Sequence, residues 1–451
     1  EFLAEPGVEK MGFKVESFPP GKVLIKEASP GTWAAQQGIL KGAELAAVNG
    51  QPAAEMTKDE FVEAMASRPL SMQVNIDPRL LQQELTMTTS AASVLSAIGP
   101  WLSGPSFDQI HMATAIYRLG VHSEDFSNAT AQSPVFAQLL DQTNIELDRC
   151  AMDARNTANI FWAIGKLRPY AMHFAVLRPA LFRCAQKKVP KMNSQDISNI
   201  FWAAGTLRLV GGEMKDMLAA LCKAARREAV NMKSQALANI IWSAGTLRLG
   251  GEEFEGMLVA LFASAQQKAT NMPPQEIANI IWAAGLLRLD LNEVSNTITI
   301  LCNEAAMKLH RFKPQELANT CWGLALLGYR HDKFMTRVAE RVVQTAGAWR
   351  GKGLSYDLPE VVWAFAKLEF QSKVLLAHVP EVLSSPSSLD TLTDWSLCVL
   401  VWSYVKMDTG REFAGFRRSL VAEASLRGLN AQAVSRSRLG PQDWAVFEDA
   451  D

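Results

Sequence analysis

The sequence lacks the features that mark several classes of protein. No run of 18 apolar residues occurs, so a transmembrane helix is not predicted. The 6 cysteines are scattered without a CxxC pair, which argues against a disulfide framework and a zinc site and suits a reducing compartment. The formal net charge of the 451 residues is −1, so the whole chain is neither a polybasic nucleic-acid protein nor an acidic tail protein.

Catalytic motifs are also missing from the sequence. Neither GxSxG nor a GxGxxG after a strand occurs, and the word GAWRGK at 347–352 has the wrong spacing for a phosphate loop. The 6 histidines show no metal-ligand spacing, and no pair of carboxylates stands out. The sequence therefore predicts a protein that is not an enzyme and has no metal or cofactor.

Charge is distributed unevenly along the chain. Residues 1–150 carry 10 basic and 18 acidic side chains, a net of −8, whereas residues 151–330 carry 21 basic and 13 acidic, a net of +8. Residues 331–451 carry 14 basic and 15 acidic. The basic middle segment suits anion binding, although a solvated face is the simpler alternative.

An internal repeat dominates the sequence. Tryptophan recurs at intervals of 40 residues at positions 162, 202, 242, 282 and 322, then at 363 and 402. The surrounding words include ISNIFWAAGTLR and LANIIWSAGTLR, and a weaker copy at 111–120 places Thr114 in the tryptophan position. A fixed period near 40 predicts a mainly α fold, a right-handed α-solenoid of about seven to eight helical hairpins.

Each repeat reads as two helices joined by a break. Four repeats carry a glycine within the first helix. A mid-helix glycine lowers helix stability by about 1 kcal/mol relative to alanine, so we expect neighbouring helices to approach closely at these glycines. They follow the tryptophan by three residues and are Gly165, Gly205, Gly245 and Gly285. The tryptophan itself is expected to wedge between successive hairpins, with an exposed stacking platform as the alternative.

One face of each first helix carries a repeated polar set. An asparagine stands three residues before each central tryptophan, an arginine or glutamine seven before it, and in three repeats a lysine or threonine four after it. The residue directly after the tryptophan is small, and all these offsets share one helical face. The predicted ligand-binding row is Arg155, Gln195, Gln235, Gln275, Gln315, Asn159, Asn199, Asn239, Asn279, Asn319, Lys166, Thr206 and Thr246. The alternative is a structural ladder of buried amides that bridge adjacent repeats.

An arginine follows the tryptophan by six residues in four repeats. Evenly spaced guanidinium groups could bind successive phosphates of a nucleic acid. Alternatively, each arginine satisfies the carbonyl groups at the C-terminus of its own helix. The arginines are Arg168, Arg208, Arg248 and Arg288.

The repeated segments around the tryptophans resemble those of a known protein family. The pattern QELAN followed by WxxxxL, as at 315–327, resembles the helical repeats of the octotricopeptide-repeat and related RAP- and FAST-kinase-associated families. The resemblance covers about 106–425 and implies an α-solenoid that binds single-stranded RNA in an organelle, a plastid in preference to a mitochondrion. It also implies a role in transcript stability, processing or translation, with about one nucleotide per repeat. The sequence shows no RAP-like domain at 426–451.

The N-terminal segment has a different pattern. Alternating apolar residues predict strands at 13–15, 23–26 and 70–74, and Asn49-Gly50 predicts a tight hairpin turn. The words PGTWAAQQGILKGAELAAVNGQP and MTKDEFVEAM are similar to a PDZ domain. That family adds a peptide strand to a sheet edge and holds the peptide carboxylate on backbone amides. The residues implied to line this groove are Met11, Gly12, Phe13, Lys58 and Val62. A fold used only for docking or dimerisation is the alternative.

The sequence therefore predicts a PDZ-like domain at 1–77, a linker at 78–107, the α-solenoid at 108–425 and a polar tail at 426–451. We expect a non-enzymatic adaptor that binds single-stranded RNA with its repeats and a protein partner with its PDZ-like groove. The alternatives are a repeat array that holds an extended peptide, and a scaffold or assembly subunit of a large organellar complex.

Overall fold

The computed structural model describes residues 1–429 except 30, 103–106, 210, 346, 348, 384–385 and 408–411. By backbone contacts the chain forms two compact units, Glu1–Met192 with Gly211–Met217, and Asn193–Val210 with Leu218–Asp451. The predicted tail falls outside the described residues from position 430 onward. None of the helices in the described residues is long and apolar enough to cross a membrane.

The N-terminal domain is built from antiparallel strands and two helices. One sheet has the strand order β1-β6-β4-β5, and β2 pairs with β3 in a second sheet. The strands are β1 (Phe2–Ala4), β2 (Phe13–Val15), β3 (Ile25–Ala28), β4 (Glu44–Val48), β5 (Gln51–Pro52) and β6 (Leu70–Asn75), and the helices are α1 (Trp33–Gln36) and α2 (Lys58–Ala66). A core that includes Ile25, Leu45, Phe61 and Leu70 holds both sheets to α2.

Local sequence signals set the boundaries of this domain's elements. Asn49 and Gly50 have φ angles of 48° and 82°, as a two-residue hairpin turn between β4 and β5 requires. At the start of α2, the Glu60 backbone N–H donates to the Thr57 hydroxyl, and the Thr57 N–H donates to the Glu60 carboxylate at 2.7 Å. This reciprocal cap lowers the pKa of Glu60 through the hydrogen bonds from Thr57.

Helical hairpins follow directly after the PDZ-like domain. The helices of the first unit are α3 (Pro78–Met87), α4 (Ala91–Ile98), α5 (Gln109–Val121), α6 (Asn128–Ala131), α7 (Pro134–Asp148), α8 (Ala154–Lys166) and α9 (Arg178–Lys188). The first helices α3, α5 and α8 pack in that order, and the second helices α4, α7 and α9 do the same. The expected linker at 78–107 is thus corrected: α3 and α4 form the first hairpin of the array.

The register of the early repeat also differs from the sequence expectation. A Cβ placed on Gly120 would lie 2.8 Å from the Cα of Ala163, the close approach that the repeat glycines make elsewhere. The ring of Tyr117 lies 4.9 Å from that of Trp162. Tyr117, not Thr114, therefore occupies the tryptophan position of this hairpin. The interval to Trp162 is longer than the fixed period, which hid the match.

The second unit continues the hairpin pattern. Its first helices α10, α12, α14, α16, α18 and α21 pack in sequence order, and its second helices α13, α15, α17 and α19 do likewise. The bounds are α10 (Ser194–Leu207), α11 (Gly212–Glu228), α12 (Ser234–Leu247), α13 (Glu252–Lys268), α14 (Pro274–Leu287), α15 (Leu291–Lys308), α16 (Pro314–Leu327), α17 (Asp332–Gln344), α18 (Leu358–Lys367), α19 (Lys373–Val382), α20 (Pro386–Asp390), α21 (Asp394–Met407) and α22 (Ala414–Leu426).

The repeat glycines allow the first helices to touch backbone to backbone. A Cβ on Gly205 would lie 3.0 Å from the Cα of Ser243, and one on Gly245 would lie 2.9 Å from the Cβ of Ala283. The predicted close approach is confirmed, and the partner is the small residue that follows the tryptophan of the next repeat. That small position is buried in helix packing. It does not form the centre of an exposed row, as the sequence had suggested.

Candidate nucleic-acid interface and peptide groove

The predicted polar positions lie on the accessible side of the first helices. Arg155 and the four glutamines are exposed, and the five asparagines are half-buried. The tryptophans divide into two groups. Trp162, Trp202, Trp242 and Trp282 are half-buried, so part of each indole is accessible beside the amides. The later three are buried in the packing between hairpins, as the wedge interpretation predicts; they are Trp322, Trp363 and Trp402.

The amide side chains do not form a ladder between repeats. The Gln195 Nε2 donates to the Asn199 Oδ1 at 2.8 Å, a bond within one helix. Among the described residues, no hydrogen bond joins the asparagine side chain of one repeat to that of the next. The structural-ladder interpretation therefore has no support here, and the amides keep hydrogen-bonding capacity for a ligand.

The arginines of the central repeats have an unusual backbone conformation. Arg208, Arg248 and Arg288 each follow the last helical residue, with φ angles of 52°, 49° and 51°. L-residues other than glycine are strained in this left-handed region, typically by about 1–2 kcal/mol. The equivalent residue of the next repeat is Gly328, with φ 68°. Three consecutive repeats thus carry arginine where the backbone favours glycine.

Backbone groups satisfy the helix C-termini at these arginines. The Arg208 N–H donates to the carbonyls of Ala204 and Gly205, and Arg248 and Arg288 repeat this arrangement. In the described part of the chain, none of the three guanidinium groups takes part in a hydrogen bond or ion pair. The alternative in which each arginine satisfies the carbonyl groups of its own helix is therefore confirmed at these three positions for the backbone N–H, while the side chain takes no part in it.

Arg168 departs from the other three. It begins a 3-10 helix, Arg168–Leu177, and its backbone does not enter the left-handed region. It is exposed, as is Lys166, whose Nζ lies 5.9 Å from the centre of the Trp162 ring. The first unit thus places one cation, that of Lys166, beside the indole of Trp162 on α8.

A groove of about 730 Å³ crosses consecutive repeats of the second unit. Its walls combine guanidinium groups, two indoles and one hydroxyl. At the Trp282 and Trp322 repeats, leucine replaces the lysine or threonine of the polar row, which gives the groove an apolar floor. The principal lining residues are Arg208, Arg248, Arg288, Thr246, Trp282, Trp322, Leu286 and Leu326. Cationic groups bind phosphates, and aromatic side chains stack on bases. A groove that holds both is therefore suited to nucleotides.

Sequence reasoning missed an aromatic cluster in the second unit. Tyr356 and Trp395 occupy the glutamine position of their repeats, seven residues before Trp363 and Trp402. Their rings stack 5.0 Å apart, and both are half-buried. Trp322 lies 4.1 Å from Trp363 and 5.7 Å from Trp395, ring centre to ring centre. The offset of seven from the tryptophan was the available signal.

The PDZ-like groove is bounded by β2 and the exposed side of α2. Gly12 has φ 80°, and a Cβ there would overlap the Thr32 side chain, so both conformation and space require glycine. The Thr32 hydroxyl donates to the carbonyls of Ser29 and Gly12 at 2.6 and 3.3 Å. Met11 is buried, and its carbonyl accepts from the Ala34 N–H. This network fixes the loop that precedes β2.

The backbone amides of this loop are available for a ligand. In the described part of the domain, the N–H groups of Met11 and Gly12 donate no hydrogen bond, which is the state that carboxylate capture requires. Phe13 is half-buried, and Val62 on α2 is 49% exposed.

Phe18 is a groove residue that the sequence did not indicate. It is 48% exposed, and its ring lies 6.1 Å from that of Phe61. The Nζ of Lys58, also on α2, lies 5.1 Å from the centre of the Phe18 ring. Phe18 therefore places an aromatic wall beneath the cation at one side of the groove.

Histidine, cysteine and acidic side chains are the groups that could hold a metal ion or act as nucleophiles. Within the described residues, no group of three or more His, Cys, Asp or Glu side chains is placed to hold a metal ion. Burial raises the pKa of the Cys222 and Cys398 thiols to about 12, so both are protonated at neutral pH. These two cysteines fill small sites in the core.

Two segments of the chain match known protein families. No curated protein matches the sequence. Residues 2–76 match the PDZ domain family, over the strands and helices of the N-terminal domain. Residues 210–372 match the family described as the N-terminal domain of the Tbc2 translation factor, which spans α11 to α18 and most of the arginine groove. The chain is thus a mainly α protein of helical hairpins preceded by a PDZ-like domain.

Proposed function

We propose that the helical array binds single-stranded RNA through the face that carries Arg208, Arg248 and Arg288. The observation that carries the proposal is that three successive repeats hold arginine in a strained backbone position. Within the residues that the structure describes, their guanidinium groups make no hydrogen bond or ion pair. Strained positions of this kind cluster at functional sites, and on that ground we infer a functional role for these side chains. The match to a translation factor domain over the same repeats supports a role in translation or RNA metabolism.

The proposed contacts divide by chemistry. The arginines bind phosphates, because a guanidinium group offers several donors in a fixed plane. The half-exposed indoles stack on bases, and the amides of the glutamines and asparagines bond to base edges, which are accessible only when the strand is unpaired. The array then reads about one nucleotide per repeat. The resemblance to octotricopeptide repeats, and with it an organellar and plastid setting, belongs to this proposal.

The PDZ domain is proposed to dock a protein partner by its C-terminal carboxylate. The amides of Met11 and Gly12 receive the carboxylate, and the peptide strand adds to the free edge of β2. Lys10 and Lys58 are both exposed at this groove, so we expect a preference for acidic peptide side chains. In this proposal the protein is a non-enzymatic adaptor that brings a partner to a bound transcript.

The direct test measures retention of a random single-stranded RNA pool on the full chain over a range of salt concentrations. The proposal expects retention, a steep loss of affinity with added salt and enrichment of a short motif, since neutralised phosphates release counterions. Failure to retain RNA even at low salt would favour the protein scaffold, and co-purifying polypeptides would then be identified. A double-stranded RNA of the same length serves as the control for strand preference.

A further inference from the structure

Two cysteine side chains of the first unit touch each other. The Sγ of Cys150 lies 3.0 Å from the Sγ of Cys184, although the two residues are 34 positions apart in sequence. Cys150 lies in the turn after α7, and Cys184 lies on α9, the second helix of the next hairpin. A disulfide bond is about 2.05 Å long, so its formation requires an approach of only about 1 Å.

The two thiols differ in exposure. Cys150 is half-buried at the surface of the turn, with a left-handed φ of 51°, whereas Cys184 is 1% exposed. Burial first, and then the hydrogen bond from Cys150, raises the pKa of the Cys184 thiol to about 12. Only Cys150 is therefore placed to react with a molecule from solution. Cys184 is placed to react with Cys150.

We propose that Cys150 and Cys184 are a reversible disulfide site that exchanges with small organic disulfides of the glutathione class. The Cys150 thiolate attacks one sulfur of the external disulfide, and the other sulfur leaves as a thiol after taking up a proton. Cys184 then loses its proton and attacks the Cys150 sulfur of the mixed disulfide, which releases the second external thiol. The two protein thiols are oxidised by two electrons, and one external disulfide is reduced to two thiols.

The crosslink would tie two successive hairpins of the array together. It joins the turn after α7 to α9 of the next hairpin, and the closed loop contains the whole of α8, which carries Arg155, Asn159 and Lys166. Closing a loop restricts the unfolded chain, so the oxidised form resists unfolding more strongly. This site belongs to the first unit and does not depend on the proposed RNA contacts.

The chain supplies its own internal controls. Cys222, Cys302, Cys321 and Cys398 are all buried. Among the described residues, none of these four sulfurs makes a hydrogen bond to another thiol, although Cys302 interacts electrostatically with Cys321. Burial raises the pKa of Cys302 and Cys321 well above the usual range. These four thiols should stay reduced in the folded protein under conditions that oxidise the Cys150–Cys184 pair.

The test treats the full folded chain with oxidised glutathione and maps its peptides by mass spectrometry without reduction. We expect the loss of two thiols per chain, one crosslinked peptide pair containing residues 150 and 184, and a rise in Tm of roughly 5 °C that dithiothreitol reverses. Cys184→Ser should trap a stable glutathione adduct on Cys150, and Cys150→Ser should abolish both products. Cys222→Ser, the matched control, should behave as the parent chain.

Three results would overturn the proposal. One is a folded chain that keeps all its thiols in oxidised glutathione while the unfolded chain reacts. Another is a parent chain that accumulates a glutathione adduct and never the crosslink, which would show that Cys184 does not reach Cys150. The third is equal oxidation in the Cys150→Ser variant, which would assign the reaction to other cysteines.

Discussion

Replacement of Arg208, Arg248 and Arg288 by glycine separates the role of these arginines in RNA binding from their role in folding. Each arginine occupies a left-handed position that costs about 1–2 kcal/mol for a residue with a Cβ. Glycine relieves this strain but loses about 0.5–1 kcal/mol through the greater entropy of the unfolded chain. The expected free energy of unfolding therefore stays constant or rises by up to about 1.5 kcal/mol per site.

The same variant should bind RNA more weakly. Each phosphate contact on a single strand contributes about 0.7 to the slope of log affinity against log salt, so the loss of three contacts should flatten that slope by about 2. The assay is fluorescence anisotropy of a labelled single-stranded RNA, measured between low and moderate salt. Denaturant unfolding of the same samples gives the free energy of unfolding.

A substitution in the opposite direction provides the matched control. Gly328 occupies the equivalent left-handed position in the next repeat, and a Cβ there would meet no atom within 4 Å. Gly328→Arg should lower the free energy of unfolding by about 1 kcal/mol and steepen the salt slope by about 0.7. An unchanged slope in the glycine triple variant, with the fold intact, would refute the assignment of these arginines to phosphate contacts.

Further predictions concern the PDZ groove, the helix contacts and a buried acid. Lys58→Glu should weaken binding of an acidic C-terminal peptide about tenfold or more and leave Tm nearly unchanged, as titration of a labelled peptide would show. Gly245→Ala should lower the free energy of unfolding by about 1–3 kcal/mol, because the new Cβ would lie 2.9 Å from the Cβ of Ala283 and the helices would have to separate. Urea unfolding measures this free energy. A variant as stable as the parent chain would contradict the close packing. Tyr404→Phe should cost about 1–2 kcal/mol, since the buried Tyr404 hydroxyl donates to the Leu376 carbonyl at 2.8 Å. Burial raises the pKa of Asp357, so the folded state holds this proton to higher pH than the unfolded state; stability should fall as pH rises through the folded pKa, and Asp357→Asn should remove that decline.

The arginine positions connect the backbone of the array with its proposed function. A helix that ends in a left-handed residue is usually completed by glycine, because glycine adopts this conformation without strain. The fifth of the regular repeats follows that rule with Gly328, whereas the three before it do not. Their backbone N–H groups complete the helix ends. The guanidinium groups line the groove and make no hydrogen bond or ion pair to any described residue. A glycine variant keeps the backbone N–H that completes the helix and loses the guanidinium group, so we expect it to weaken binding without lowering stability.

The tryptophan interval by itself determined the helical hairpins, the small and glycine positions and the face that carries the amides. The sequence also predicted the strands and turns of the PDZ-like domain, since residues such as Gly12 and Asn49 adopt a left-handed backbone conformation that few residue types favour. These features depend on short-range periodicity and conformation, which a single sequence records directly.

Tertiary structure decided the features that depend on contacts between distant residues. Part of the segment predicted to be a linker forms the first hairpin, because α3 and α4 pack against the helices that follow. Tertiary structure moved the register of the early repeat to Tyr117, since only packing shows that Gly120 meets Ala163. It also brought Cys150 to Cys184 and lined one groove with the three central arginines, since both results depend on how successive hairpins stack.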